Sequence, residues 1–455
     1  MMKQLILATV IVSLMGGTTV GQKKTDRPPI PTTFRGVDAT ASADQTSIGD
    51  LKWFEVFKDE ELQNLVRTAM VQNYDLRAAL ARINAARANL GLARAAQFPQ
   101  VEGSADLTST HASGRTSNIG SVLLNLLSFE LDIWGRVRQQ RNAARAELRA
   151  SAEDRKAAMT TVVSDVATGY FSLIELDSEL EIDKRTLATR QESLRIIKSR
   201  QQGGLATMLD VRQAEELVYQ ASQTIPDTER TIEQTENLIS LLLGNNPGSI
   251  SRGRPLSQQE GLPSVPAGLP SSLLDRRPDI RSAEANLEAQ GALVRAAKAA
   301  YFPRISLTGN LGFQSNQLSH LFTSGVWSFI PQITAPIFTA GRLKSNVKFA
   351  KAQQELALVQ YQQRIQTAFR EVSDALVQYR KVREIRAQQE LLVTTLQDRS
   401  RLAHLRYEGG IDSLLNALDA DRELFDAELS LAQTKRNELL SLVQLYKALG
   451  GGWQQ

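Results

Sequence analysis

Two kinds of hydrophobic pattern occur along the chain, and the first is an alternation of apolar and polar residues. It occupies four stretches of about ten residues, the period and length of a membrane β-strand with one lipid face and one wet face. An amphipathic sheet packed on helices would show the same alternation. The apolar positions are Val101, Gly103, Ala105 and Leu107; Leu127, Phe129, Leu131 and Ile133; Ile305, Leu307, Gly309, Leu311 and Phe313; and Trp327, Phe329, Ile333 and Ile337. We expect Pro331 and Pro336 to interrupt the hydrogen-bond ladder of the fourth strand.

The second pattern is helical, in stretches rich in Ala, Gln, Glu, Leu, Arg and Lys. Glycines and prolines bound six helices, which are two short (73–96 and 278–300), two long (136–202 and 342–408) and two of medium length (207–243 and 413–449). A helix of about 67 residues is roughly 100 Å long. No ordinary globular core needs that length, so a coiled-coil or tubular assembly is predicted. Since a short and a medium helix together nearly match a long one, we expect them to stack end to end beside it.

The chain contains an internal repeat. The segment that begins at Asp75 recurs 204 residues later at Asp279, and the Gly135-Arg136 pair recurs 206 residues later at Gly341-Arg342. Prolines, glycines and serines separate the two copies. We therefore divide the chain into a first repeat (51–244), a linker (245–270), a second repeat (271–450) and a tail (451–455).

The N-terminus has the layout of an export signal. Lys3 precedes the apolar stretch Leu5–Met15, and Gly16 and Gly17 supply small residues for cleavage. We predict a signal peptide over 1–17, although a buried strand or short helix is an alternative. Residues 18–50 are predicted to form an extended arm, because much of this stretch is polar and contains several prolines.

Composition excludes several kinds of site. The 455 residues include no Cys, which rules out disulfides, thiol catalysis and Cys-ligated metals. The three His are far apart in sequence, and the net charge of +4 is spread along helices. We find no nucleophile–base pair, phosphate-binding glycine loop or metal-ligand cluster, so we expect no enzyme activity, no cofactor and no nucleic-acid partner. After residue 20 no apolar run approaches 18 residues, so no transmembrane helix is expected.

Four strands cannot close a barrel, and an open sheet edge is not tolerated in lipid. Several subunits must therefore share one barrel. Two copies would supply eight strands and three would supply twelve, both within the known range. Twelve strands leave a usable lumen, whereas eight are nearly filled by side chains.

Two motifs in the second repeat carry a family resemblance. The segment from Leu273 to Glu284, which contains Arg-Arg-Pro-Asp, and the segment from Arg295 to Leu307 resemble the signature of TolC-type outer-membrane efflux proteins. They are most like the drug-efflux branch that works with resistance-nodulation-division pumps. The C-terminal segment Leu445–Trp453 and the repeated Gly-Arg pair also match.

The resemblance implies an α+β membrane protein with two internal repeats. Three copies would form a 12-strand barrel in the outer membrane and a 12-helix barrel in the periplasm. The implied partners are a periplasmic adaptor, an inner-membrane pump and outer-membrane lipid. In one respect the chain departs from this branch, because Gly17 stands where an acylated Cys is usual. Since glycine has no thiol, either this anchor is absent and ordinary signal peptidase cleaves, or the sequence is altered there.

The candidate site residues lie near the Gly-Gly turns. Leu415, Asp419 and Arg422 share one helix face. The resemblance places this face at the narrow periplasmic end, so we interpret it as a gate rather than a solvated face with an Asp–Arg pair. The residues Asp210, Arg406 and Tyr407 are candidate ties between neighbouring helices. The expected adaptor-contact tips are Gly203, Gly204, Leu205, Gly409, Gly410 and Ile411.

We therefore predict a passive outer-membrane duct that conducts drugs and other toxic small molecules. One alternative keeps this fold and changes the cargo to secreted proteins or metals, but the Arg-Arg-Pro-Asp motif favours drug efflux. Another is a structural coiled-coil protein of the envelope. It would explain the helices but not the four alternating stretches or the export signal.

Overall fold

The computed structural model describes residues 28–35, 47–259, 268 and 270–453. The predicted signal peptide and part of the predicted arm and linker lie outside the described residues. The described elements are, in chain order, α1 (Trp53–Val56), α2 (Glu60–Gln72), α3 (Tyr74–Ala95), β1 (Val101–Ala112), β2 (Arg115–Leu131), α4 (Arg136–Gln202), α5 (Met208–Leu242), α6 (Pro270–Arg276), α7 (Pro278–Ala299), β3 (Arg304–Ser315), β4 (Gly325–Thr334), α8 (Arg342–Glu408) and α9 (Leu414–Ala448). The protein is mostly helical, with one antiparallel sheet.

The two long helices have the predicted length. Both α4 and α8 contain 67 residues, and each begins directly after a left-handed glycine. Each long helix ends in a glycine pair, of which the second glycine is left-handed: Gly204 and Gly410 have φ of +74° and +71°, whereas φ is −81° at Gly203 and −73° at Gly409. One residue without a Cβ penalty is enough to reverse the chain at a helix end.

The short and medium helices stack end to end beside the long ones, as predicted. Asn73 precedes α3, and its side-chain amide donates to the carbonyl of Leu242 at the end of α5 (2.8 Å). In the second repeat Arg277 precedes α7 and donates to the carbonyl of Ala448 at the end of α9 (3.0 Å). Carbonyls at a helix end lack partners within the helix, so each junction supplies a donor that the ending helix needs.

The sheet has the strand order β1-β2-β3-β4 with antiparallel pairing throughout. Directly opposed residues point to the same face of a sheet. The register opposes Leu124 to Leu311, and Leu311 to Trp327, which places apolar side chains of three strands on one face. The neighbouring pairs Asn125 with Asn310, and Asn310 with Ser328, place polar side chains on the other face.

Our prediction for the second strand was incomplete, because β2 begins at Arg115, well before Leu127. The missed residues, 115–126, lacked the alternation because the first seven are mostly polar and Val122, Leu123 and Leu124 are consecutive apolar residues. This part of the strand is joined to β1 by a tight turn in which Ser113 and Gly114 both have positive φ. A register shift between Leu126 and Phe129 also puts Leu126, rather than Leu127, on the apolar face.

The ends of the predicted strands also need correction. Ile133 and Ile337 lie outside the strands, which end at Leu131 and Thr334. Pro331, by contrast, is accommodated within β4, opposite Leu307. A proline is tolerated there because β4 is an edge strand of this sheet, so its missing N–H can face away from β3.

The main hydrophobic core lies where the helices of the two repeats converge. Its fully buried members include Tyr170 of α4, Ile365 of α8 and Leu445 of α9. Helix α4 contains an 18-residue stretch that is long and apolar enough to cross a membrane. We had expected no such stretch after residue 20. Since 67% of that stretch is buried within the protein, its apolar character is explained by this core.

Candidate functional site

The two helix reversals present apolar side chains at their tips. Leu205 in the α4–α5 turn and Ile411 in the α8–α9 turn are both largely exposed. Gly204 and Gly410 have open space where a side chain would stand. The tips therefore combine a fixed backbone reversal with unburied apolar surface, which suits contact with another protein.

Asp210 caps its own helix within the described protomer. Its carboxylate accepts from the backbone N–H of Thr207 (2.7 Å), and the Thr207 hydroxyl accepts from the N–H of Asp210 (3.2 Å). This reciprocal arrangement satisfies donors at the start of α5. Asp210 thus fixes where α5 begins, and its assignment as a tie between helices stays a prediction.

Arg406 and Tyr407 make different contacts beside the second tip. Arg406 donates to Asp412 across the α8–α9 turn (3.2 Å). Hydrogen bonds from the backbone N–H of Ser413 and from nearby side chains lower the pKa of Asp412. The guanidinium of Arg200 on α4 lies 4.6 Å from the ring centroid of Tyr407 on α8, a cation–π contact that joins the two hairpins.

The three residues of the candidate gate occupy the first turns of α9. Leu415 is exposed, and Arg422 donates to Asp419 at 2.7 Å. A second cation, Arg399 on α8, also lies 3.5 Å from the Asp419 carboxylate. This residue was not among the predicted site residues. Arg399 and Asp419 stand ten residues on either side of Gly409. Helix hairpins bring such equidistant positions together, so this spacing could have revealed the pair.

A second polar cluster on the same hairpin was also missed. Nε2 of His404 lies 2.8 Å from Oδ2 of Asp421, and the hydroxyl of Ser400 donates to Oδ1 of the same carboxylate (2.6 Å). The hydrogen bond to Asp421 raises the pKa of His404. This cluster joins α8 to α9, and Asp421 lies two residues beyond Asp419 along α9. Among the described residues, no group of His, Asp or Glu side chains has the arrangement of a metal site.

Comparisons with known proteins agree with this architecture. A family model described as "Outer membrane efflux protein" matches residues 65–245 and 269–451. The probable efflux pump outer membrane protein TtgC of Pseudomonas putida is 37% identical over 471 aligned residues, covering 100% of this chain and 97% of TtgC. The solvent efflux pump outer membrane protein SrpC of Pseudomonas putida is 40% identical over 422 residues, covering 90% of each chain.

The fold also matches a solved channel. The open state of the MtrE outer membrane channel of Neisseria gonorrhoeae has a TM-score of 0.87 and 32% sequence identity to this chain. The match covers 94% of this chain and 97% of the MtrE chain.

Proposed function

The chain belongs to the outer membrane efflux protein family, and on that premise we propose that three copies form one duct through the outer membrane and periplasm. The protein is the outer-membrane channel component of an efflux system. The observation that supports this assembly is that the four-stranded sheet has two unpaired edges. The outer edges of β1 and β4 have no partner within the described chain, while one face of the sheet is apolar.

Unpaired strand edges carry free N–H and C=O groups, which cannot remain unsatisfied in hydrocarbon. Pairing β4 of one copy with β1 of the next removes every edge. Three copies would supply twelve strands and leave an open lumen, whereas two would supply eight and leave almost none. The polar face of the sheet, which includes Asn125, Asn310 and Ser328, would then line the lumen.

Measuring the mass of the detergent-solubilised protein tests this assembly. We expect three times the 50.2 kDa of the chain, less the signal peptides. A stable monomer in mild detergent would contradict the shared barrel and with it the proposed duct.

We further propose that the cargo is small toxic molecules delivered by an inner-membrane pump and a periplasmic adaptor. The names of TtgC and SrpC, which refer to efflux pumps and to solvents, support this cargo over secreted proteins or metals. The apolar tips Leu205 and Ile411 would contact the adaptor. Replacing both with Ser should weaken adaptor binding without altering the trimer. Unchanged binding would place the contact elsewhere.

The gate proposal rests on Asp419, which is held by Arg422 of its own helix and Arg399 of the neighbouring helix. Pairs exposed to this degree contribute only about 0–1 kcal/mol each. They can therefore hold the helix ends together and still yield to a bound adaptor. In a trimer the same contacts would recur three times around the axis.

We expect Asp419→Ala and Arg422→Ala to raise single-channel conductance in planar bilayers while trimer melting changes little. Asp398→Ala is a matched control, because Asp398 forms a similar exposed pair with Arg401 on α8, at 2.6 Å. Unchanged conductance in both gate variants, with intact trimers, would mean that this face is an ordinary solvated surface.

A further inference from the structure

The connection between β3 and β4 lies on a defined face of the sheet. We call this connection, residues 316–324, the outer loop; it contains a short 3₁₀ helix, Leu318–Thr323. The register opposes Gly120 to Leu107 and to Ser315, so these positions share one face. Two residues further along β2, Val122 is opposed to Phe313. Because alternate residues share a face, Gly120 belongs to the apolar face.

Two independent contacts place the outer loop on that same face. A Cβ added to Gly120 would stand 3.1 Å from Cδ2 of Leu318 and 3.6 Å from Cδ1 of Leu321. On the neighbouring strand, the rings of Phe313 and Phe322 pack edge to face with centroids 5.6 Å apart. The loop therefore folds back over the outside of the sheet rather than across the opening between the strands.

The loop contacts the sheet at the border of the sheet's apolar face. Toward the β1–β2 turn, the next positions of β2 on this face are Asn118 and Thr116, which are polar. In the other direction they are Val122 and Leu124. The 3₁₀ helix is itself mixed, since apolar Leu318 and Phe322 flank the polar pair Ser319-His320. Leu318 and Phe322 nevertheless remain 62% and 68% exposed.

We propose that the outer loop is an interfacial membrane anchor, which inserts Leu318 and Phe322 into the hydrocarbon edge of the outer leaflet, and that it is not a lid over the channel. This inference rests on the proposed barrel. A neighbouring copy would join at the edges of β1 and β4, whereas the loop covers the middle strands β2 and β3. The exposed side chains of the loop therefore face the same surroundings as the adjoining apolar face of the sheet, which in the proposed barrel is lipid. An amphipathic segment at this depth resembles an interfacial anchor.

The absence of Cys from the sequence makes single-site labelling straightforward. Phe322→Cys, Phe329→Cys and Ile330→Cys would each carry an environment-sensitive fluorophore in phosphatidylcholine vesicles. Phe329 is opposed to Gly309 on the apolar face, and the adjacent Ile330 is opposed to Thr308 on the polar face. Quenching by lipid spin-labelled near the headgroup, for the loop, and along the acyl chain, for the deeper position 329, would be compared with quenching by aqueous iodide.

We expect lipid to quench the labels at 322 and 329, and iodide to quench the label at 330. If 329 responds to lipid but 322 responds only to iodide, the loop inference is overturned and the barrel stands. If the label at 329 does not respond to lipid, both the proposed barrel and the proposed membrane insertion of the outer loop are overturned. Leu318→Cys provides a second loop site if Phe322→Cys fails to assemble. A charged thiol reagent on the unlabelled loop Cys variants should leave conductance unchanged, whereas a reduction would indicate a lid.

Discussion

Tyr170→Phe should release the first part of the linker from the helical core. The buried hydroxyl of Tyr170 donates to Oδ2 of Asp59 (3.0 Å) and accepts from the backbone N–H of Gly253 (2.9 Å). Asp59 is only 2% exposed and also accepts from the N–H of Arg254 (3.0 Å) and the side chain of Gln259 (2.7 Å). We call these five residues the linker anchor. Burial opposes ionisation of Asp59, but the donors hold its pKa below the usual range.

The size of the effect follows from the two hydrogen bonds that the hydroxyl makes. Phenylalanine has the same shape but removes the acceptor of the Gly253 N–H, a partly buried contact, and one donor from the buried Asp59 carboxylate. Removing a partner from a buried polar group costs about 1–3 kcal/mol. That range corresponds to roughly a 5- to 150-fold increase in local opening. The surrounding core is unchanged, so the opening should be local rather than global.

Hydrogen exchange followed by mass spectrometry on the detergent-solubilised protein measures this opening. The peptide that contains Gly253 and Arg254 should exchange faster by the stated factor, while peptides from α4 and α8 stay protected. Tyr219→Phe is the matched control, because Tyr219 is 69% exposed on α5. Equal protection of the linker peptide in Tyr170→Phe and in the unaltered protein would refute the reasoning.

Three further substitutions have defined outcomes. Gly253→Ala should also raise exchange in the linker, because its Cβ would stand 2.3 Å from Oδ1 of Asp59, whereas Gly248→Ala, whose Cβ would stand 3.9 Å from the carbonyl oxygen of Asn246, should not. Arg277→Met should lower the melting temperature of the protein, since it leaves the carboxylates of Asp279 and Glu371 without the cation they share; because these carboxylates are 27% and 39% exposed, the loss should be smaller than the about 3–5 kcal/mol of a fully buried pair. The His404–Asp421 contact should protect the α8–α9 hairpin at low pH. Because Asp421 raises the pKa of His404, this protection is fully present below the ordinary histidine pKa and is lost as pH rises through the raised value. His404→Gln should abolish that pH dependence of hydrogen exchange, and an unchanged profile would exclude the imidazole as its source.

The helical framework could be predicted closely from the sequence, because its boundaries are set by local signals. A glycine begins each long helix, a glycine pair ends it, and Pro278 stands at the first position of α7. The first part of β2 escaped prediction because its outer residues are mostly polar and the apolar run Val122 to Leu124 breaks the alternation. The linker anchor escaped for a different reason, since Asp59 and Tyr170 are 111 positions apart and only tertiary packing brings them together.

The distribution of buried and exposed contacts suggests how the tips could move while the molecule stays folded. Around the main core, the charged groups that join elements are shielded, as with Glu175, which is almost fully buried and pairs with Arg436 at 3.0 Å. Near the tips the ion pairs, such as Asp419 with Arg422, lie in solvent, and the apolar cluster between the hairpins is small. Exposed pairs contribute little and are screened by salt, whereas breaking a buried pair is costly. A force applied by a partner at Leu205 or Ile411 would therefore separate the hairpins long before it disturbed the core. We therefore expect any opening to be confined to the tips.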